Sequence, residues 1–180
     1  MSDEHRTDEH RADGHRAGGG QRVDGDRITV VGRTDLADLL PLLRAYCDFY
    51  EVTPTDEALL AMAEALIDRP DREGVQLVAR DADGAAVGFA TVFWTWQTLE
   101  AARVAVMNDL FVVPGSRGTG LADALIRACA ERARAHGAVE LVWQTALDNA
   151  RAQAVYDRLG ARRSRWLDYS LPLLPTSGAK

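Results

Sequence analysis

The residues best suited to chemistry lie where an apolar run ends in Val112-Val113-Pro114-Gly115-Ser116-Arg117-Gly118-Thr119-Gly120-Leu121-Ala122. This reads as a strand passing through a glycine-rich turn into a helix. The first amides of a helix lack intrahelical partners and carry partial positive charge, so they suit an anionic phosphate. Small residues there let a ligand approach the backbone closely. The same Gly and Pro residues would equally serve a plain strand-to-helix connection. Two familiar phosphate loops do not fit. There is no Gly-Lys-Ser/Thr, as a nucleotide-triphosphate loop requires, and Asp123 stands where a dinucleotide fingerprint needs its third glycine.

The elements that must position this turn follow from periodicity. A strand is expected over 28–31 and a helix over 35–50 with Thr34 as its cap. A second helix is expected after Pro54, capped by Thr55 and ending near Asp68. Strands over 75–79 and 86–93 are joined by Asp81-Ala82-Asp83-Gly84, which reads as a tight hairpin turn, and a third strand runs over 103–113. The helix over 118–136 places Leu121, Ala124, Leu125, Ala128 and Cys129 on one face, with His136 as its C-terminal cation ahead of Gly137. A strand over 139–145, a helix over 149–159 stopped by Gly160, and a last strand over 165–171 complete the order. A hairpin meander mixed with crossover helices predicts a mixed sheet covered by helices in one α/β domain.

Composition narrows the function classes. The 180 residues suit one core, and a formal net charge of -6 with scattered Arg argues against nucleic-acid binding. No apolar stretch is long enough to span a bilayer and no signal-peptide core opens the chain, so neither a membrane nor export is expected, and the cytoplasm is the default location. Cys47 and Cys129 each fall in an amphipathic helix and read as reduced core residues. Residues 1–26 repeat Asp-Glu-His-Arg, have almost nothing apolar to bury and are expected to be a disordered tail. His5, His10 and His15 there read as part of that polar tail in preference to a metal site, and no metal is expected elsewhere. Residues 172–180 read as a C-terminal tail.

Arg117-Gly118-Thr119-Gly120-Leu121-Ala122 resembles in full the signature of the GNAT superfamily: Arg or Gln, two residues, Gly, one residue, then Gly or Ala. A second block, Asn149, Ala150, Ala154, Tyr156 and Gly160, is similar to the family's downstream motif, with Tyr seven residues after Asn. The resemblance covers residues 27–171 and implies a single-domain GNAT fold, a mixed central sheet of about six or seven strands flanked by helices on both faces. It implies acetyl-CoA as co-substrate, with the pyrophosphate held by the turn residues Arg117 to Ala122 together with Asp123. The pantetheine arm would pair with the backbone of Leu110-Phe111-Val112 and contact Asn149. Tyr156 would protonate the departing thiolate. The stretch from Trp143-Gln144-Thr145 through Ala152-Gln153-Ala154-Val155-Tyr156 further resembles a branch containing histone, polyamine and D-amino-acid acetyltransferases. Homodimers are common in the family.

Each of these residues also has a plainer reading. Tyr156 shares a helix face with Ala152 and Leu159 and could be core, and Asn149 could simply cap its helix. An acceptor amine must lose a proton before it attacks a thioester. At the position of one well-known family base this chain has Val106, which leaves Asp109 as the candidate, provided strand alternation does not turn it from the cleft. Asn108 lies beside it on the acceptor side. Asp48 and Glu51 could attract an amine or be solvated surface acids. Trp94, Trp96 and Trp166 could build an aromatic wall for the amine, whereas Trp143 reads as core. The expected activity is direct acetyl transfer to a primary amine of a small molecule in a ternary complex. A protein amine as acceptor, a non-catalytic acetyl-CoA-binding module and a partner-binding role for the tail are the rivals.

Overall fold

The computed structural model describes residues 28–173. The expected tail at 1–26 and most of that at 172–180 lie outside the described residues. The elements run β1 (Ile28–Val30), a 3-10 turn at Arg33–Asp35, α1 (Leu36–Phe49), α2 (Asp56–Asp68), β2 (Gly74–Arg80), β3 (Ala86–Gln97) and β4 (Ala102–Val112). A second 3-10 turn at Pro114–Ser116 then leads to α3 (Leu121–Ala135), β5 (Leu141–Val142) and α4 (Ala150–Arg158).

One sheet has the order β1-β2-β3-β4-β5. Its first four strands pair antiparallel, and β5 joins β4 in parallel. The hairpin turn forms as expected: the Asp81 carboxylate accepts from the amides of Asp83 (3.0 Å) and Ala85 (2.9 Å). Thr55 caps α2 as expected, its hydroxyl accepting from the Ala58 amide at 3.2 Å.

Alternation along β3 divides its side chains between two clusters. Phe89 packs with Val78 and Phe111 against Leu39, Leu43 and Cys47 of α1 and Leu59 and Ala63 of α2. Ala90, Val92 and Trp94 pack against Leu121, Leu125 and Cys129 of α3. Both cysteines are thus buried, in different clusters, and burial pushes the Cys129 thiol up to about 12. No helix of the described residues is long and apolar enough to cross a membrane.

The sheet has five strands where six or seven were expected. Residues 165–171 carry a strand-like pattern but form no strand, and Trp166, Leu167, Tyr169 and Leu171 are all exposed. Alternation is not enough without a hydrogen-bonding partner, and β5 offers only two residues of edge. The same shortness corrects the strand expected over 139–145.

Two features of β4 matter for function. The register slips between Thr91, opposite Asp109, and Val92, opposite Met107, so Asn108 is an extra, unpaired residue: a β-bulge. The bulge reverses the alternation. Met107 packs with the α3 cluster, whereas Phe111, an even number of residues further on, packs with the α1 cluster. Secondly, β5 meets β4 only at Ala105 and Val106. From Met107 to Val112 the outer edge of β4 therefore lacks a strand partner.

Candidate active site

The divergence of β4 and β5 opens a cleft of about 920 Å³, near the upper end of the usual range for ligand sites. Its walls are the free edge of β4, the glycine turn with the start of α3, the inner face of α4, and the C-terminal end of α1.

Val113 donates to the Val87 carbonyl of β3 at 3.0 Å. Alternation then turns Phe111 to β3 as well and leaves the backbone groups of Leu110 and Val112 facing the open edge. The Val112 carbonyl is taken up by Arg117, whose Nε donates to it at 2.9 Å while the guanidinium lies 6.0 Å from the Phe111 ring. Arg117 thus ties the turn to the strand. Thr119 closes the turn from the other side, its hydroxyl donating to the Ser116 carbonyl at 2.9 Å. Gly118 and Gly120 have φ of 86° and 88°, a conformation other residues enter only at a cost. Gly120 is the N-cap of α3 and supplies no side-chain cap, so the Leu121, Ala122 and Asp123 amides are left without intrahelical partners. The Leu121 side chain is buried in the core, while Gly120, Ala122 and Asp123 on either side of it line the cleft. Asp123 lines the cleft but is held by Arg158, with Nη2 at 2.7 Å and Nε at 3.1 Å.

α4 brings Asn149 and Tyr156 to the opposite wall. The Asn149 side chain accepts from the Ala152 amide at 3.1 Å, so it does cap the helix, and it also lines the cleft. The half-buried Tyr156 packs edge-on against Trp143, with ring centroids 5.2 Å apart. Burial, and next the Tyr50 phenol facing it, raise the Tyr156 hydroxyl above its ordinary value, with the Thr145 hydroxyl pulling it partly back. A raised phenol stays protonated, as a proton donor to a thiolate must.

Other expected site residues lie elsewhere. Trp94 is buried under α3: its indole donates to the Pro70 carbonyl at 2.7 Å and stacks on His136 at 4.3 Å. Trp96 is exposed beneath the Arg103 guanidinium at 4.7 Å. Both sit on the part of β3 that runs beyond the cleft. Trp166 is 84% exposed on the unpaired C-terminal segment. Asp48 and Glu51 are exposed and do not line the cleft. In their place Trp143, expected in the core, forms part of the wall. Asn108 does line the cleft, whereas Asp109, turned by the bulge, is buried behind it on the α1 side.

The aromatic side chains that α1 brings to the cleft are Tyr46, Phe49 and Tyr50. Their spacing of three and four residues near a helix end was the available signal. Burial, then the Asp109 carboxylate and the Tyr50 phenol beside it, drive the Tyr46 hydroxyl well above the ordinary phenol range.

An uncapped helix start, a free strand edge and a shielded phenol thus surround one cleft. The Acetyltransferase (GNAT) family matches residues 39–161, and the chain belongs to it: it is an N-acetyltransferase. It is 34% identical over 166 residues, 80% of this chain and 94% of the relative, to an L-methionine sulfoximine/L-methionine sulfone acetyltransferase of Pseudomonas paraeruginosa. It is 31% identical over 127 residues, 71% of this chain and 83% of the relative, to the uncharacterized N-acetyltransferase YhfO of Bacillus subtilis. Among solved structures it is similar to AAC(6')-Iy in complex with the bisubstrate analogue CoA-S-monomethyl-acetylneamine. The TM-score there is 0.70, with 26% identity, covering 81% of this chain and 97% of the other.

Proposed function

We propose that this chain transfers the acetyl group of acetyl-CoA to a primary amine of a small, amino-acid-like molecule by direct attack in a ternary complex. One observation carries the reading: the α3 start at Gly120, Ala122 and Asp123, the open edge at Leu110 and Val112, and Tyr156 all line one cleft. The unpartnered α3 amides, with Arg158 nearby, fit a pyrophosphate. The free β4 edge fits the amides of a pantetheine arm, and a backbone N–H there suits the carbonyl oxygen of a thioester as it gains charge. Tyr156 gives a proton to the leaving sulfur, and the sulfur is returned as a thiol.

The acceptor class follows from the wall. Asp123 is the one acid lining the cleft among the described residues, and it is held by Arg158, while Arg117 and Arg151 add positive charge. Such a site disfavours a polycation and suits a single amine, with a carboxylate tolerated nearby. The sulfoximine and sulfone named for the Pseudomonas relative are amines of this kind.

The test is release of CoA thiol across a panel of primary amines headed by L-methionine sulfone, with wild type and Tyr156→Phe compared. Turnover by wild type, lost about 100-fold in Tyr156→Phe with acetyl-CoA binding kept, supports the reading. A folded protein that binds no acetyl-CoA by calorimetry overturns it.

A further inference from the structure

Gln76, Thr91 and Asp109 are the buried polar residues of the described chain, and they form one row. Gln76 lies opposite Thr91 across β2 and β3, and Thr91 lies opposite Asp109 across β3 and β4. The Gln76 amide donates to the Thr91 hydroxyl at 3.1 Å, so Thr91 keeps its own proton to give. Asn108 donates to Asp109 Oδ1 at 3.0 Å. The row ends at α1, where Tyr46 stands beside the Asp109 carboxylate and packs edge-on against Tyr50 at 5.0 Å. Tyr46 and Tyr50 both line the cleft, and Tyr50 faces Tyr156 across it.

This row lacks a cation. Among the described residues Asp109 belongs to no ion pair, although it is buried, and the groups set beside it, Tyr46, Asn108 and Thr91, are uncharged. A buried carboxylate without a positive partner is costly and gains from any cation brought close. An acceptor amine enters the cleft as an ammonium ion, and the phenol between it and Asp109 can pass a proton on.

We infer that Tyr46 is a catalytic residue for the acceptor half-reaction, taking a proton from the substrate ammonium as its own moves to Asp109, with Tyr50 beside it holding the amine. The inference rests on the acetyltransfer reading above and supplies the proton acceptor that reading needs. In this step an N–H bond breaks and a phenol O–H forms, while the original phenol O–H breaks and the Asp109 O–H forms. The products are a neutral amine and a neutral carboxylic acid. The amine lone pair then forms the C–N bond as the C–S bond breaks. The second nitrogen proton restores the Tyr156 phenol after that phenol has protonated the sulfur, and Asp109 returns its proton to solvent through Tyr46 after turnover. Asp109 never touches the substrate and is a positioning residue. Tyr46 both lines the cleft and stands beside Asp109, so in this relay its hydroxyl donates to the carboxylate while a lone pair receives the proton of the amine.

The test uses the full chain, saturating acetyl-CoA and the best amine of the panel, with kcat/KM followed from pH 6 to 10 in wild type, Tyr46→Phe, Tyr50→Phe and Asp109→Asn. Tyr46→Phe should lose about 100-fold at pH 7, the loss shrinking as pH rises toward the amine's own pKa, where the neutral amine arrives ready-made. Asp109→Asn should show the same pH-dependent loss and Tyr50→Phe a smaller one, with acetyl-CoA affinity unchanged in all three. Tyr46→Phe keeps the packing volume, so its melting temperature separates the outcomes if Asp109→Asn fails to fold. A Tyr46→Phe profile within threefold of wild type, or a loss equal at every pH, overturns the relay while leaving acetyl transfer standing. Wild type that turns over no amine overturns both.

Discussion

The glycine turn can be tested by two substitutions three residues apart. Gly118 has φ of 86° and a Cβ there would meet no atom within 4 Å, so Gly118→Ala adds backbone strain and nothing else. Gly115 also has free space for a Cβ, but it is absent from the left-handed positions. Both substitutions gain roughly 0.4–1 kcal/mol by restricting the unfolded chain. Their difference therefore isolates the strain, about 1–2 kcal/mol for an L residue held in the left-handed region. If the turn keeps its shape, Gly118→Ala should melt roughly 2–8 °C below Gly115→Ala, at about 2–4 °C per kcal/mol for a chain of this size. If the turn relaxes instead, the α3 amides shift and the loss appears in acetyl-CoA affinity, about tenfold for each 1.4 kcal/mol. The assay is thermal unfolding of both variants plus calorimetric titration with acetyl-CoA. Equal melting temperatures together with equal affinities would refute the claim that this turn depends on a left-handed residue.

Three further outcomes check other parts of the description. Trp94→Phe should lower stability by about 1–2 kcal/mol through loss of the bond to the Pro70 carbonyl, with KM for the amine unchanged; a changed KM would restore Trp94 to the acceptor wall. Thr55→Ala should cost about 1 kcal/mol in denaturant unfolding by removing the α2 cap, without altering kcat. Asp35 is held below its ordinary value of 3.8, first by the Gly32 amide and then by Arg80. Its folded pKa is depressed, so its contribution is complete above the unfolded value and is lost as pH falls through the folded one. Asp35→Asn should thus flatten the stability curve below about pH 4, measured by urea unfolding, and an unchanged acid limb would count against the Gly32 and Arg80 contacts.

The side of the cleft proposed to hold the cofactor was legible because it is local. The turn from Arg117 to Ala122 and the pair Asn149 and Tyr156 each sit within one strand-helix or helical segment, so spacing alone places them. The acceptor side was not, because it joins α1 to β4 across some sixty residues of chain. Tyr46 and Tyr50 have no motif of their own, and their meaning appears only when Asp109 stands behind them. The bulge at Asn108 was hidden for another reason: one extra residue in an apolar run leaves no compositional mark. Trp94 and Trp96 misled because two residues of equal spacing share a face without sharing an environment, one under α3 and the other beyond the sheet. The C-terminal pattern at 165–171 has alternation but no edge to pair with.

The bulge has a consequence for how this site can vary. In a uniform strand, whichever face Met107 takes, Asp109 and Phe111 must take too. Asn108 works as a phase shift between the halves of β4, and everything after it is read one step out of step with everything before. Two assignments depend on that single step at once: the carboxylate goes to the α1 side, and the amides of Leu110 and Val112 go to the open edge. Straightening the bulge with Asn108 kept in the strand would move the acid into the opposite layer and hand those amides to β3 in the same stroke, whereas deleting Asn108 would close the bulge and leave both where they are. A change of register in β4 therefore acts on the proposed acceptor and acyl-donor halves of the site together. Here they share one clock, and variation is left to the helices that face it.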